Sequence, residues 1–172
     1  MVGFYQERKI IMTQKKKWFM SIRYLLQSFL LLSALFLPLP AVATGDCPPT
    51  EPDMLGPFYK PDAPVRSSVG KGYVLSGVVR SSKDCSPVKG ARIEFWMAGP
   101  DGNYDDAHRA TLFADDSGGY RFESNAPVPY SGRPPHIHIK VSAKGFQTLV
   151  TQHYPEKGKN SSAADLVLVP AK

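Results

Sequence analysis

The stretch Tyr130-Ser131-Gly132-Arg133-Pro134-Pro135-His136-Ile137-His138 holds the densest chemistry in the chain. Side chains alternate along a strand, so His136 and His138 share one face while Ile137 and Ile139 take the other. Two imidazoles spaced i, i+2 can chelate one metal ion from a rigid element. Alone, such a pair is more often an ordinary polar face than a ligand pair. Tyr130 closes a Pro-bounded loop six residues before His136, and Tyr104 follows Gly102-Asn103 in a long loop. A phenolate is a hard anionic donor suited to Fe(III), and a bound trivalent ion lowers a phenol pKa that is otherwise near 10. Each tyrosine taken alone is more often a packing aromatic with a satisfied hydroxyl, and spacing does not separate the two readings.

Strands and loops must hold these groups in place. Pro48, Pro49, Pro52, Pro57, Pro61 and Pro64 make residues 44–70 an extended arm wrapped on a domain. Strands are predicted at 73–80, 91–97, 111–114, 120–123, 136–142, 148–152 and 165–169. Within 91–97 the alternation puts Ala91, Ile93, Phe95 and Met97 on one face, with Arg92, Glu94 and Trp96 on the other. Asp115-Asp116-Ser117-Gly118-Gly119 predicts a tight turn joining two strands as a hairpin. Short strands with turns between them, and no helical periodicity, predict an all-β fold. Its form is an antiparallel β-sandwich over 71–172 with long Pro/Gly-rich loops.

Residues 1–43 have the order of a Sec-type signal peptide. Lys15, Lys16, Lys17 and Arg23 precede an apolar run from Leu25 to Leu39, and Ala41-Val42-Ala43 supplies a small-x-small cleavage site. The run is about 15 residues, short of the roughly 20 that span a bilayer. The expected product is therefore exported to the periplasm or the extracellular space, with no stable membrane insertion. Met12 or Met20 could equally be the start. This segment carries Arg8, Lys9 and the four basic residues just named against Glu7, so of the formal +6 only about +1 remains after cleavage. The basic character belongs to the signal and gives no reason to expect nucleic acid as a partner. Cys47 and Cys85 have no Cys or His neighbour at ligand spacing, which disfavours a Cys metal site. In an oxidising compartment such a pair favours a disulfide over two free thiols.

The motifs, in order, resemble the intradiol ring-cleavage dioxygenases of the protocatechuate 3,4-dioxygenase type. They run Gly56-Pro57-Phe58-Tyr59, Leu75-Ser76-Gly77, Pro87-Val88-Lys89-Gly90-Ala91, Gly102-Asn103-Tyr104, Asp116-Ser117-Gly118-Gly119-Tyr120, Arg133-Pro134-Pro135-His136-Ile137-His138 and Thr151-Gln152-His153-Tyr154. The resemblance implies an Fe(III) ion held by Tyr104, Tyr130, His136 and His138. It implies a catechol-type substrate and O2, with a muconate-type diacid as product, and makes Tyr130 the ligand that the substrate displaces. Arg133 matches an arginine that stabilises negative charge on the activated ring, a task suited to a fixed cation in a dry site. Its bland alternative is a loop-bracing salt bridge. Gln152 matches a glutamine near the substrate, and ordinary backbone contacts would serve it as well. His108 and His153 fit no ligand position and read as surface or loop residues.

Leu55 stands where the family usually has an acidic residue, and Met97 where a glutamine often follows the strand tryptophan. No helical dimerisation segment of the catechol 1,2-dioxygenase branch precedes the sandwich, so the protocatechuate-like branch is expected, with an oligomer or a second related chain left open. Two rival readings stand beside the enzyme. One is a non-catalytic exported transthyretin-like sandwich that binds carbohydrate or protein. The other is an exported metal-binding protein that has lost turnover. Asn160-Ser161-Ser162 would be a glycosylation site only in a eukaryotic secretory pathway.

Overall fold

The computed structural model describes residues 47–172, so the expected export signal, its expected cleavage site and the first residues of the arm lie outside the described part. The eight strands are β1 (Gly72–Ser81), β2 (Arg92–Trp96), β3 (Arg109–Phe113), β4 (Gly119–Asn125), β5 (Ile137–Ser142), β6 (Leu149–His153), β7 (Ser161–Ala163) and β8 (Leu166–Leu168), with one 3-10 turn at Asp106–His108. They form two four-stranded sheets. In the first, β4 flanks one edge of β1, and β7 and β8 pair in succession with its other edge. In the second, the order is β3-β2-β5-β6, antiparallel throughout.

The all-β sandwich matches the expectation from periodicity, with two differences of topology. The segment expected as one strand at 165–169 is β8, preceded by the separate short strand β7, and both run parallel to β1. The expected hairpin across Asp115–Gly119 is not a hairpin. Its turn forms, with Asp115 Oδ1 accepting from the backbone N–H of Ser117 and Gly119 at 2.8 Å. However, β3 pairs with β2 and β4 with β1, so the turn carries the chain from one sheet to the other. A tight turn fixes the reversal of the chain, but not which strand edges then pair.

Between the sheets lies the apolar core. Ile93, Phe95, Ile137, Ile139 and Val141 project from the second sheet to meet Tyr73, Leu75, Val79, Phe122 and Leu166 of the first. Phe95 stacks flat on Phe122 with centroids 4.3 Å apart. Burying an aliphatic or aromatic side chain of this kind contributes about 1.5–3 kcal/mol, so this layer supplies most of the drive to fold.

The second sheet is also covered on its outer side, by the Pro-rich arm. Asp53 N–H donates to Val150 O at the edge of β6, Arg66 N–H to Thr111 O on β3, and Val69 N–H to Glu123 O on β4. The arm thus crosses the whole sheet before it enters β1. Midway, the Tyr59 hydroxyl donates to Glu94 Oε1 at 3.2 Å and accepts from Lys140 Nζ at 2.7 Å. A disulfide between Cys47 and Cys85, Cα atoms 5.5 Å apart, ties the start of the described arm to the loop after β1. Two of the three residues predicted to face away from the core, Glu94 and Trp96, are consequently only 1% and 2% exposed, while Arg92 is partly exposed.

Candidate metal centre beneath the arm

Register places the site. Trp96 pairs with both Arg109 and His138, and His138 pairs with Gln152, so the four lie in one row across β3, β2, β5 and β6. Directly paired residues share a sheet face. The Trp96 indole lies parallel to the His138 ring, centroids 4.9 Å apart and planes within 6°, and so fixes the plane of that imidazole. His136 sits just before β5, its ring 4.8 Å from that of His138. Its Nδ1 lies 2.7 Å from Pro134 O, and its Nε2 lies 3.0 Å from the Tyr104 hydroxyl. A carbonyl can only accept, so Nδ1 carries the proton and the Nε2 lone pair accepts from Tyr104.

Tyr130 is aimed by a tight turn. Arg133 N–H donates to Tyr130 O at 2.8 Å, and the two central residues both have positive φ, Ser131 at 47° and Gly132 at 78°. That is the two-residue hairpin geometry that favours glycine at its second central position. It sets Tyr130 and Arg133 side by side. The Tyr130 ring meets Tyr104 edge-on at 5.2 Å, and all four expected ligands line one cavity of about 290 Å³.

Burial sets the protonation of these groups. It pushes the His138 pKa down to about 4, helped by the neighbouring His136 and Arg133 charges, so the ring is neutral at physiological pH. Burial also pushes Tyr104 up to about 12, an effect that Arg133 opposes. In the metal-free protein, then, a phenol proton bridges Tyr104 and His136 where a cation could bind. His138 Nδ1 is buried without a hydrogen-bond partner. Among the described residues no three His, Cys, Asp or Glu cluster together, so any metal held here takes its hard anionic donors from tyrosine. Two imidazoles and two phenols around one cavity fit a trivalent cation.

Arg133 forms no salt bridge among the described residues. Its Nη2 donates to Gln152 Oε1 and to the Tyr154 hydroxyl, each at 2.9 Å. Gln152 in turn donates to Met54 O at 2.7 Å, so the strand-end glutamine joins Arg133 to the arm. The arm supplies groups that sequence reasoning did not assign a role. Phe58 stacks on Tyr104 with centroids 4.3 Å apart and meets Tyr130 edge-on at 5.3 Å. Gly56, at φ 73°, passes so close that a Cβ there would lie 2.9 Å from His138 Cε1. Asp53 accepts from the Tyr154 hydroxyl at 2.8 Å. The Gly56-Pro57-Phe58 motif was a signal for the first two; nothing in the sequence marks the Asp53–Tyr154 pair.

The two remaining histidines stay out of the cavity, as expected. His108 ends the 3-10 turn, held to Asp105 at 2.7 Å. His153 is not a surface or loop residue. It ends β6, partly buried, with Nε2 2.7 Å from the Tyr73 hydroxyl of β1. The alternation of β6 turns it toward the first sheet, one residue beyond the strand expected at 148–152.

Known proteins place the chain in context. Residues 60–169 match the model of a family described as Dioxygenase. The chain is 33% identical over 142 residues to chlorocatechol 1,2-dioxygenase of Pseudomonas putida, spanning 63% of this chain and 54% of that protein. It is 34% identical over 135 residues to hydroxyquinol 1,2-dioxygenase of Rhodococcus opacus, spanning 59% and 45% respectively. The chain thus spans about half the length of the curated relatives it matches. Among solved structures, it is similar to the dioxygenase domain of a dioxygenase carbohydrate-binding protein fusion from Streptomyces sp. SirexAA-E. That likeness has 30% identity and a TM-score of 0.64, and covers 72% of this chain and 100% of the other.

Proposed function

The chain belongs to the intradiol ring-cleavage dioxygenase family, and from that premise we propose that it cleaves a catechol-type diol with O2 between the two hydroxylated carbons, giving a muconate-type diacid. Both oxygen atoms of O2 end in the product, so no further reductant is needed. The observation that carries this reading is the convergence of Tyr104, Tyr130, His136 and His138 on one cavity with Arg133 at its wall. Those four residues would hold Fe(III), which when bound supplies a Lewis acid and a template for the two diol oxygens. A non-catalytic sandwich has no use for this donor set.

The protein's own groups do the rest. The Tyr104 and Tyr130 rings meet edge-on at the cavity, with the Phe58 ring against both. Arg133, held from behind by Gln152 and Tyr154, keeps a fixed guanidinium where negative charge builds on the ring. The arm at Gly56-Pro57-Phe58 lines one side of the site, and its apolar groups there strengthen that charge interaction. Trp96 behind His138 prevents the imidazole from turning.

We further propose that the protein is exported by a Sec signal and works in the periplasm or outside the cell, supported by the N-terminal pattern and the Cys47–Cys85 disulfide. The relatives reported above are named for chlorocatechol and hydroxyquinol, which supports a catechol-type rather than protocatechuate-type diol. Anaerobic titration of the iron-loaded protein with catechol, hydroxyquinol and protocatechuate tests the reading. A visible spectral shift with a diol, followed by equimolar O2 uptake and diacid formation, is expected. Absence of O2 uptake with every diol refutes the activity, and a colourless protein with stoichiometric iron refutes the tyrosine ligands.

A further inference from the structure

Resting on the reading of this cavity as a diol-cleaving centre, we propose that the charge of Asp53, held beside Tyr154, makes it a specificity-determining residue that turns the site against diols carrying an anionic ring substituent. Asp53 is held at both ends. Its backbone N–H donates to Val150 O at 2.9 Å, and its Oδ1 accepts from Met54 N–H at 2.6 Å. Its free oxygen, Oδ2, takes the Tyr154 hydroxyl proton at 2.8 Å. Tyr154 has only one proton to give. Gln152 Oε1, at 3.1 Å, is the longer and uncharged competitor for it, so the carboxylate wins. The Tyr154 oxygen is then free to accept from Arg133 Nη2 at 2.9 Å. Donation therefore runs one way, from Arg133 to Tyr154 to Asp53.

Charge follows from that chain. Among the residues lining the cavity, Arg133 is the one charged side chain, and the arm's contribution to the wall is Met54, Pro57 and Phe58. The guanidinium is already facing Asp53 across a single phenol, and Asp53 is kept ionised by the Met54 N–H ahead of its other contacts. A carboxylate on the substrate ring would meet a guanidinium already partly offset by Asp53, and a like charge a few ångströms behind Tyr154. A hydrogen, halogen or alkyl group in the same place carries no charge for Asp53 to repel.

The test compares iron-loaded wild type, Asp53→Asn and Tyr154→Phe with catechol, 4-methylcatechol and 3,4-dihydroxybenzoate. Dissociation constants come from anaerobic absorbance titration, and kcat/KM from O2 uptake; 4-methylcatechol controls for size without charge. Wild type should prefer the two neutral diols. Asp53→Asn should move both ratios toward 3,4-dihydroxybenzoate by roughly five- to tenfold, the scale of one like charge at partly screened short range. Tyr154→Phe keeps that carboxylate, so it should lower kcat for all three diols with little change in their ratio. If Asp53→Asn melts early, Asp53→Ser, which removes the charge but can still accept from Met54 N–H, must shift the ratio the same way. Unchanged ratios in the folded charge-removing variant overturn the inference and leave the proposed activity standing. Failure of wild type to bind any of the diols overturns both.

Discussion

The two faces of the β3-β2-β5-β6 sheet are buried by different means and do different work. On the inner face Ile93, Phe95, Ile137, Ile139 and Val141 pack against a second sheet, and nothing polar is needed there. On the outer face Glu94, Trp96, His138 and Gln152 are also buried, but under a single arm that pairs with the sheet at only a few points. A sheet facing another sheet is sealed by area and close packing. A sheet beneath an arm keeps a cavity of about 290 Å³ and can hold polar groups with incomplete partners, such as His138 Nδ1. The inner face therefore carries stability and the outer face carries chemistry, with adjacent residues of β5 divided between them.

Neighbouring substitutions on β5 provide the sharpest test of that division. His138→Ala should reduce ring cleavage by at least about a thousandfold and abolish stoichiometric iron binding, because a metal ligand has no local substitute. Its effect on the melting temperature of the metal-free protein should be small. Ile139→Ala, one residue away, should cost about 2–5 kcal/mol in denaturant unfolding, while the variant that remains folded still binds iron. Equal losses of stability in both variants would show that the two faces are not separable.

The next largest effect concerns the arm's tether. Closing a loop with a sequence separation of 38 residues restricts the unfolded chain, so reduction of Cys47–Cys85 or Cys85→Ser should lower stability by about 3–4 kcal/mol. The loss should be accompanied by faster proteolysis within 47–70 and weaker diol binding, since the roof of the site begins at that tether. If stability falls while diol binding is untouched, the arm is held by its strand pairing alone.

These differences also explain what the sequence revealed. The inner face was legible because alternation in 91–97 and 136–142 reports burial against an apolar layer. The expected ligands His136 and His138 were legible because they stand two apart where β5 begins and the surrounding motifs keep their order. The Phe58–Tyr104 stack, the Trp96 floor and the Asp53–Tyr154 bridge were not, since they join residues about 40 to 100 positions apart, across paired strands for Trp96 and through the arm for the others. Strand β7, Ser161–Ala163, gave no signal because it is short and largely exposed, and its pairing with β1 is set by the chain that follows it into β8. The false hairpin at Asp115–Gly119 has the same root: local turn chemistry carries no information about which sheet comes next.

A smaller perturbation probes how tightly the arm lies on the outer face. Gly56→Ala places a methyl group 2.9 Å from His138 Cε1 and holds alanine at a φ of 73°. The expected cost is about 1–3 kcal/mol, with a several-fold rise in KM as the arm lifts. Gly132→Ala strains the Tyr130 turn in a similar way but meets no atom within 4 Å, so its KM should change less.

The mildest expected effect comes from the two histidines that leave the sheet in opposite directions. Burial holds both His138, under the arm, and His153, facing Tyr73, below the ordinary histidine pKa of 6.5. In that situation the unfolded chain takes up protons first as the pH falls. Stability is therefore fully present above about 6.5 and declines below it, down to about 4 in the case of His138. His153 is only partly buried, so its share of the decline should be the shallower one. Urea unfolding of the metal-free protein between pH 7.5 and 4.5 should show this loss, and His153→Gln should flatten only part of it by removing one titrating group while keeping a partner for the Tyr73 hydroxyl. A variant curve parallel to wild type throughout would mean that His153 titrates alike in the folded and unfolded chain, and that its bond to Tyr73 sets no protonation state. The remaining slope would then belong to the outer face, where the acid-sensitive group is the one that must stay neutral to receive a metal.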